Sequence, residues 1–165
     1  PGGLFAAYAR GNMGDDNMYA VYLAVQCTDT VWPTQQQMLA DSRLMHRRSP
    51  FMAWSNTWYN APCLSWPAPA VTRASVTGSG VTEKVLLISE TFDAATPYSG
   101  ALRVKQLFPT ASLIEGVGGT THAGSLSGVA CVDKAIANYL DSGVVPTRSG
   151  AGSDLRCPRV TPPAP

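Results

Sequence analysis

The second half of the chain alternates between short apolar runs and amphipathic segments, and this alternation constrains the fold more than any other feature. Residues 85–88 are apolar without interruption, which is typical of a parallel strand buried on both faces. A helical pattern follows over residues 98–108, a second short strand over 111–115 and another helix over 127–140. This order predicts an α/β fold at the edge of a mainly parallel sheet. Residues 147–165 are predicted to be loop.

The first part of the chain has a different pattern, which predicts mainly helical structure. Residues 16–26 fit a helix or a strand by periodicity alone, and we favour the helix. Thr34 predicts the start of another helix, which ends before Pro50. A stretch rich in proline and glycine then forms a linker. We therefore divide the chain into a helical segment, residues 1–75, and an α/β portion, residues 76–165.

The aromatic residues are concentrated near the end of the helical segment. Trp54, Trp58 and Trp66 are three of the four tryptophans in the chain. A cluster of this kind is most often internal packing, and the alternative is a wall that faces a substrate. Under that alternative, Trp54 and Trp58 are the candidate substrate-binding residues.

Charge and cysteine content exclude several classes of function. The 12 Lys and Arg residues balance 11 Asp and Glu residues to a net charge of +1, so we expect no binding to nucleic acid or to an anionic membrane. No apolar stretch reaches the roughly 20 residues that a membrane span needs. The four cysteines lack the CxxC spacing of metal sites, and neither histidine lies in HExxH, so no metal or other cofactor is expected. An even cysteine count favours two disulfides and an oxidising compartment, with three pairings open.

Two residues of catalytic type lie in the loops that follow the two predicted strands. Asp93 comes five positions after Ile88, and Thr96 is expected to cap the next helix, which leaves the Asp93 carboxylate free. His122 ends a glycine-rich run that begins at Gly116. Because parallel strands end at the same edge of a sheet, we expect Asp93 and His122 to lie side by side. An aspartate that orients a histidine is two-thirds of a Ser-His-Asp triad.

The nucleophile of such a triad is not apparent in this sequence. The segment nearest to a GxSxG motif, residues 124–128, has Leu126 at the central position and no strand before it, so we assign neither Ser125 nor Ser127. In the chain order of α/β-hydrolases the serine precedes the acid and the histidine. We therefore expect the serine to lie upstream of Pro1, on a preceding segment or a partner chain, and the chain to be processed or to begin partway through a larger protein.

Several further motifs, in both parts of the chain, are informative when they are taken together. They are residues 85–89, the turn at 92–97, the glycine loop into His122, Cys27-Thr28-Asp29, residues 63–67, and Cys131 through Tyr139-Leu140, Gly143 and Pro146 to Cys157. Together they resemble the cap and C-terminal domain of tripeptidyl aminopeptidase-like α/β-hydrolases. The resemblance implies a secreted serine exopeptidase in which a helical cap lies over the triad, Asp93 is the acid and His122 is the base. The family's Gly-His-Gly is replaced here by Thr121-His122-Ala123.

The resemblance also suggests how a substrate is recognised. An aminopeptidase must bind a free ammonium group, for which a carboxylate in the cap is the natural partner. The family suggests Asp29 for this role. Asp15 and Asp16 are alternatives, and in the simpler interpretation those two residues only begin a helix. The expected substrate is a peptide or another small acyl compound. An esterase or amidase, and a non-catalytic binding module derived from a hydrolase, are the alternatives.

The positions of the cysteines favour one pairing among the three. Cys131 opens the last predicted helix and Cys157 lies in the tail beyond it, so a bridge between them would hold a segment that has little core. A bridge between Cys27 and Cys63 would do the same within the cap.

Overall fold

The computed structural model describes residues 16–72 and 74–161. The chain forms two compact units, Pro1–Ala74 and Ser75–Pro165. Asp15 lies outside the described residues, and so does the side chain of Asp16. None of the helices in the described ranges has the length and apolar character that crossing a bilayer requires.

The first unit is helical in its described part. Its elements are α1 (Asp16–Thr28), α2 (Gln35–Arg48), α3 (Ala53–Asn60) and a 3-10 helix (Ala61–Ser65). The preference for a helix over a strand at the first of these is confirmed. The predicted start of α2 is also confirmed, since the Thr34 side chain accepts a hydrogen bond from the Gln37 amide while the Gln37 side chain accepts one from the Thr34 amide.

The core of the first unit is built around a disulfide. Cys27 of α1 is bonded to Cys63 of the 3-10 helix, and both pack against buried Leu23. Partly buried Tyr22, Trp32 and Trp66 surround this cluster. The bridge therefore joins α1 to the 3-10 helix at the centre of this cluster.

In its described residues, the second unit is a three-stranded parallel sheet with two helices. The strands are β1 (Val85–Glu90), β2 (Ala111–Val117) and β3 (Leu155–Pro158), in the order β1-β2-β3, and the helices are α4 (Tyr98–Leu107) and α5 (Ala130–Ser142). Ile88 is in register with Ile114, which in turn pairs with Leu155. The α/β prediction is confirmed, although β2 runs to Val117 and α5 begins only at Ala130.

The prediction that residues 147–165 are loop is wrong, because β3 lies within them. Four residues that include a cysteine and a proline carry no strand periodicity of their own. The strand forms because β2 offers a free edge, and because a disulfide joins Cys157 to Cys131 of α5. Cys157 packs there with Ile114 and Val132, both of which are buried.

A buried ion pair holds the residue before β3 against α4. Lys105 of α4 is 1% exposed, and its Nζ lies 2.7 Å from Oδ1 of Asp154. The other Asp154 oxygen accepts a 2.8 Å hydrogen bond from the Leu113 amide of β2. The helix α4 thus buries a lysine whose charge is compensated within the core.

Candidate active site

The loops that follow β1 and β2 are hydrogen-bonded to each other. Thr91 donates its amide to the Gly116 carbonyl at 3.1 Å, and Phe92 donates its amide to the Gly119 carbonyl at 2.8 Å. Glu90 and Gly116 are in register at the ends of their strands, so both loops leave the same edge of the sheet. Side chains carried by the two loops are therefore brought close together.

The first of these loops folds around the carboxylate of Asp93. Oδ1 accepts hydrogen bonds from the amides of Ala95 (2.9 Å) and Thr96 (3.0 Å), and Oδ2 accepts one of 2.7 Å from the Thr96 hydroxyl. These bonds, those from Thr96 first and that from His122 after them, hold the pKa of Asp93 far below its ordinary value, against a smaller opposing effect of burial. Asp93 is consequently ionised at every physiological pH.

One expectation about this loop is wrong. Pro97, not Thr96, is the N-cap residue of α4, and no side chain caps that helix. Because the Thr96 hydroxyl is engaged by Asp93, the carboxylate is not free but organises its own turn. The same carboxylate also contacts His122, which comes from the loop after β2.

His122 contacts this carboxylate through one ring nitrogen. Nδ1 lies 2.9 Å from Oδ2 and 3.2 Å from Oδ1 of Asp93, and 3.4 Å from the Thr96 hydroxyl. The Asp93 side chain is 4% exposed, whereas that of His122 is 59% exposed. A neutral imidazole that donates Nδ1–H to Asp93 presents its other nitrogen, Nε2, as an acceptor at the surface. Within the described ranges, no hydrogen-bonding group contacts Nε2.

The backbone after His122 turns sharply. Ala123 has a φ of 57° and Leu126 a φ of 56°, the left-handed region that favours glycine. Ser125 and Ser127 on either side of Leu126 are exposed, and Ser127 donates its hydroxyl to the Ser125 carbonyl at 3.4 Å. In the described structure, no hydrogen bond joins either serine to His122.

The remaining candidate residues lie in the first unit. Asp29 is exposed and follows directly after α1. Trp54 and Trp58 stack on each other along α3 with ring centroids 6.3 Å apart, and the ring of His46 lies 6.2 Å from that of Trp54. Trp58 is 55% exposed, while Trp54 is half-buried. The stack is compatible with packing and with a substrate-facing wall alike.

The roles of two residues near the candidate pair are not apparent from the sequence analysis. Thr96 completes the coordination of Asp93, and the aspartate followed three residues later by threonine is a signal that would have revealed the turn. Glu90 is buried at the end of β1, beneath the glycine loop, and nothing local marks it. Across residues 16–72 and 74–161, no group of three His, Cys, Asp or Glu side chains is placed to hold a metal ion.

Residues 49–157 match a protein family described as TAP-like protein. The chain is similar to a tripeptidyl aminopeptidase of Streptomyces lividans, with 37% identity over 154 residues that cover 92% of this chain and 28% of the relative. It is also similar to carboxylesterase B of Mycobacterium tuberculosis, with 34% identity over 155 residues that cover 90% of this chain and 28% of the relative. The chain thus spans about 28% of the length of these curated relatives.

Proposed function

This chain belongs to the TAP-like family of α/β-hydrolases, and we propose that it supplies the acid and the base of a Ser-His-Asp triad. The observation that carries the proposal is the contact between Asp93 and His122, a buried carboxylate against an exposed imidazole at 2.9 Å. Such a pair is suited to general base catalysis, because the carboxylate fixes the tautomer and stabilises the imidazolium that forms.

The reaction we propose is acyl transfer. Nε2 of His122 takes the proton of a serine hydroxyl as the serine oxygen attacks the substrate carbonyl, and then returns a proton to the leaving amine or alcohol. Water, activated by the same nitrogen, hydrolyses the acyl-enzyme and frees the serine. Throughout the cycle Asp93 stays ionised and accepts a hydrogen bond from the Nδ1–H of His122, which keeps its proton. A general base of this kind raises the rate about 10²–10⁴-fold.

We propose that the serine and the oxyanion hole come from a preceding hydrolase segment or a partner chain. In support, β1 pairs only with β2 among the described strands, so its other edge is available for a further strand. The relatives are also much longer than the region they share with this chain. The two disulfides fit an enzyme that works in an oxidising, secreted environment.

For the substrate, we favour a peptide with a free N-terminus. The similarity to a tripeptidyl aminopeptidase supports this choice, and exposed Asp29 in the helical unit is available to bind an ammonium group. An esterase or amidase is the second candidate, because another relative is named carboxylesterase B. A non-catalytic binding module is the third, and in that case the Asp93–His122 pair would be retained without a serine opposite Nε2.

A fluorophosphonate probe, which reacts with activated serines, tests the proposal. The 165-residue chain alone should remain unlabelled and inactive, while the enzyme assembled with its preceding segment should be labelled on that segment. His122→Ala should abolish the labelling. Labelling of Ser125 or Ser127, or hydrolysis by the 165-residue chain alone, would contradict the assignment of the serine to a preceding segment or a partner chain. Absence of labelling in the assembled protein would favour the binding module.

A further inference from the structure

Glu90 is a buried acid in a space formed by glycines. It is the last residue of β1, is 5% exposed and stands in register with Gly116 of β2. A methyl group at position 116 would lie 2.9 Å from Oε1 of Glu90, and one at position 124 would lie 2.6 Å from the same atom. A methyl group at Gly119 would overlap the carboxylate itself. The three glycines therefore leave the space that the Glu90 side chain fills.

The carboxylate is also linked to the residue before the candidate base. Oε2 of Glu90 accepts a hydrogen bond of 3.4 Å from the amide of Thr121. No other polar group of the described structure is hydrogen-bonded to this carboxylate. A buried carboxyl group with a single long hydrogen bond adds little to stability compared with an apolar side chain of the same size, so packing alone does not account for Glu90 at this position.

The glycine loop needs such support. Between positions 116 and 124 the chain contains four glycines, and one of them, Gly118, has a φ of 71°. Glycine loses more conformational freedom on folding than any other residue, so a loop of this composition does not hold one shape by itself. Yet the loop must hold the imidazole of His122 within hydrogen-bonding reach of Asp93. A side chain that fills the interior of the loop would hold that shape.

We propose that Glu90 is a positioning residue for His122. Its carboxylate fills the space left by Gly116, Gly119 and Gly124, and by accepting the Thr121 amide it sets the position from which His122 reaches Asp93. Glu90 itself does not touch the reacting atoms. This inference rests on the proposed function of His122 as the base.

Variants that shorten the Glu90 side chain or add a methyl group at Gly119 test the proposal in the assembled enzyme. Glu90→Ala should lower kcat at least about tenfold with KM unchanged, because small displacements of a catalytic group are costly in rate. Glu90→Gln keeps the size and an oxygen acceptor, and should stay within about threefold of the parent, well below the loss expected for a displaced base. Gly119→Ala should be impaired, and adding Glu90→Ala to it should restore part of the loss, since the methyl group then has room. Gly100→Ala is the matched control, because a methyl group there meets no atom within 4 Å.

Nitrogen NMR of the His122 ring in the 165-residue chain separates this inference from the proposed function. The Nδ1–H tautomer should predominate in the parent chain and in Glu90→Gln, and should lose its predominance in Glu90→Ala. An unchanged tautomer together with an unchanged kcat would overturn the positioning role and leave the triad intact. Normal turnover in His122→Ala would overturn the triad instead. If Glu90→Ala fails to fold, Gly119→Ala takes its place in both measurements, because its methyl group displaces the Glu90 carboxylate. An unchanged tautomer and an unchanged kcat in Gly119→Ala would then overturn the positioning role.

Discussion

The hydroxyl of Thr96 donates a 2.7 Å hydrogen bond to Oδ2 of Asp93, the same oxygen that lies 2.9 Å from Nδ1 of His122. One carboxylate oxygen thus serves a residue of its own turn and a residue from the next loop. Thr96 fixes the orientation of the carboxylate, and the carboxylate fixes that of the imidazole. The geometry of the proposed acid and base therefore depends on three residues, since Thr96 orients Asp93 and Asp93 orients His122.

Replacement of the Thr96 hydroxyl should weaken this arrangement without changing its shape. Thr96→Val removes the side-chain donor, so the pKa of Asp93 should rise toward the ordinary value of an aspartate, while the backbone donors still hold it lower. Carbon NMR titration of the Asp93 carboxyl group measures the change. Thr120→Val, at an exposed position of the glycine loop, is the control and should leave the titration unchanged.

The same shift makes a prediction for stability against pH. Because the pKa of Asp93 is lowered in the folded state, ionised Asp93 stabilises the fold fully above the unfolded-state pKa of about 3.9, and this contribution is lost as the pH falls from there through the lower folded-state pKa. The Thr96→Val protein should therefore lose less stability than the parent on acidification. Unfolding by urea at a series of pH values below 5 measures this difference, and parallel curves for the two proteins would contradict it.

Asp93 and His122 should act as a unit in the assembled enzyme. His122→Ala should remove nearly all acyl-enzyme formation, and Asp93→Asn should lower kcat about 10³–10⁴-fold because control of the tautomer is lost. Burst kinetics with an activated ester measure both effects. Asp141→Asn, at an exposed position on α5, is the control for removing a carboxylate and should be neutral. Near-normal turnover in His122→Ala would show that the pair is structural.

Asp29 should distinguish substrates by their amino group if it binds an ammonium. Asp29→Asn is expected to raise KM for peptides with a free N-terminus, because a charge-assisted contact is lost, and to leave N-blocked esters nearly unaffected. Steady-state kinetics on the two substrate types give the comparison. Asp41→Asn, at an exposed position of α2, is the control within the same unit. Equal effects on both substrates would favour the esterase or amidase candidate.

Breaking the buried pair formed by Lys105 and Asp154 should lower the free energy of unfolding more than removing a surface lysine does. Burial opposes the ionisation of Asp154, but hydrogen bonds from Lys105 and from the amides of Ser149 and Leu113 outweigh it and lower its pKa. Lys105→Met should destabilise the fold by about 3–5 kcal/mol, since the carboxylate is left buried without its cation. Adding Asp154→Asn should recover part of the loss.

Chemical denaturation measures these changes, with Lys134→Met at an exposed position of α5 as the control, expected to lie within about 0.5 kcal/mol of the parent. A Lys105→Met protein as stable as this control would show that the buried pair contributes little.

Ala123 should be improved by glycine. Its φ of 57° costs an L-residue about 1–2 kcal/mol, which glycine avoids at a smaller cost in unfolded-state entropy. Ala123→Gly should therefore raise the melting temperature of the chain, as measured by circular dichroism. Ala137→Gly, in the interior of α5, should have the opposite sign and destabilise by about 1 kcal/mol. A lower melting temperature in Ala123→Gly would contradict the strain at this position.

The sequence determined those features whose causes are local. The apolar run at β1 and the capping residues of α2 are short-range signals, and each predicted its element correctly. Because a helix between two strands makes them parallel, the same pattern predicts that the loops of Asp93 and His122 leave one edge of the sheet, as they do. The motifs along the chain also identified the family.

Only the tertiary structure decided the features that depend on residues distant in sequence. The short strand β3 exists because β2 offers it a hydrogen-bonding edge, and no periodicity within four residues announces that edge. Lys105 is stable in the core because residues far along the chain surround its ammonium group, with Asp154 2.7 Å away and the Gly150 and Gly152 carbonyls as further acceptors. Glu90 has its place only because three glycines leave room for it. Local sequence fixes preferences for backbone shape, whereas the free energy of a buried charge is set by whatever the fold brings against it.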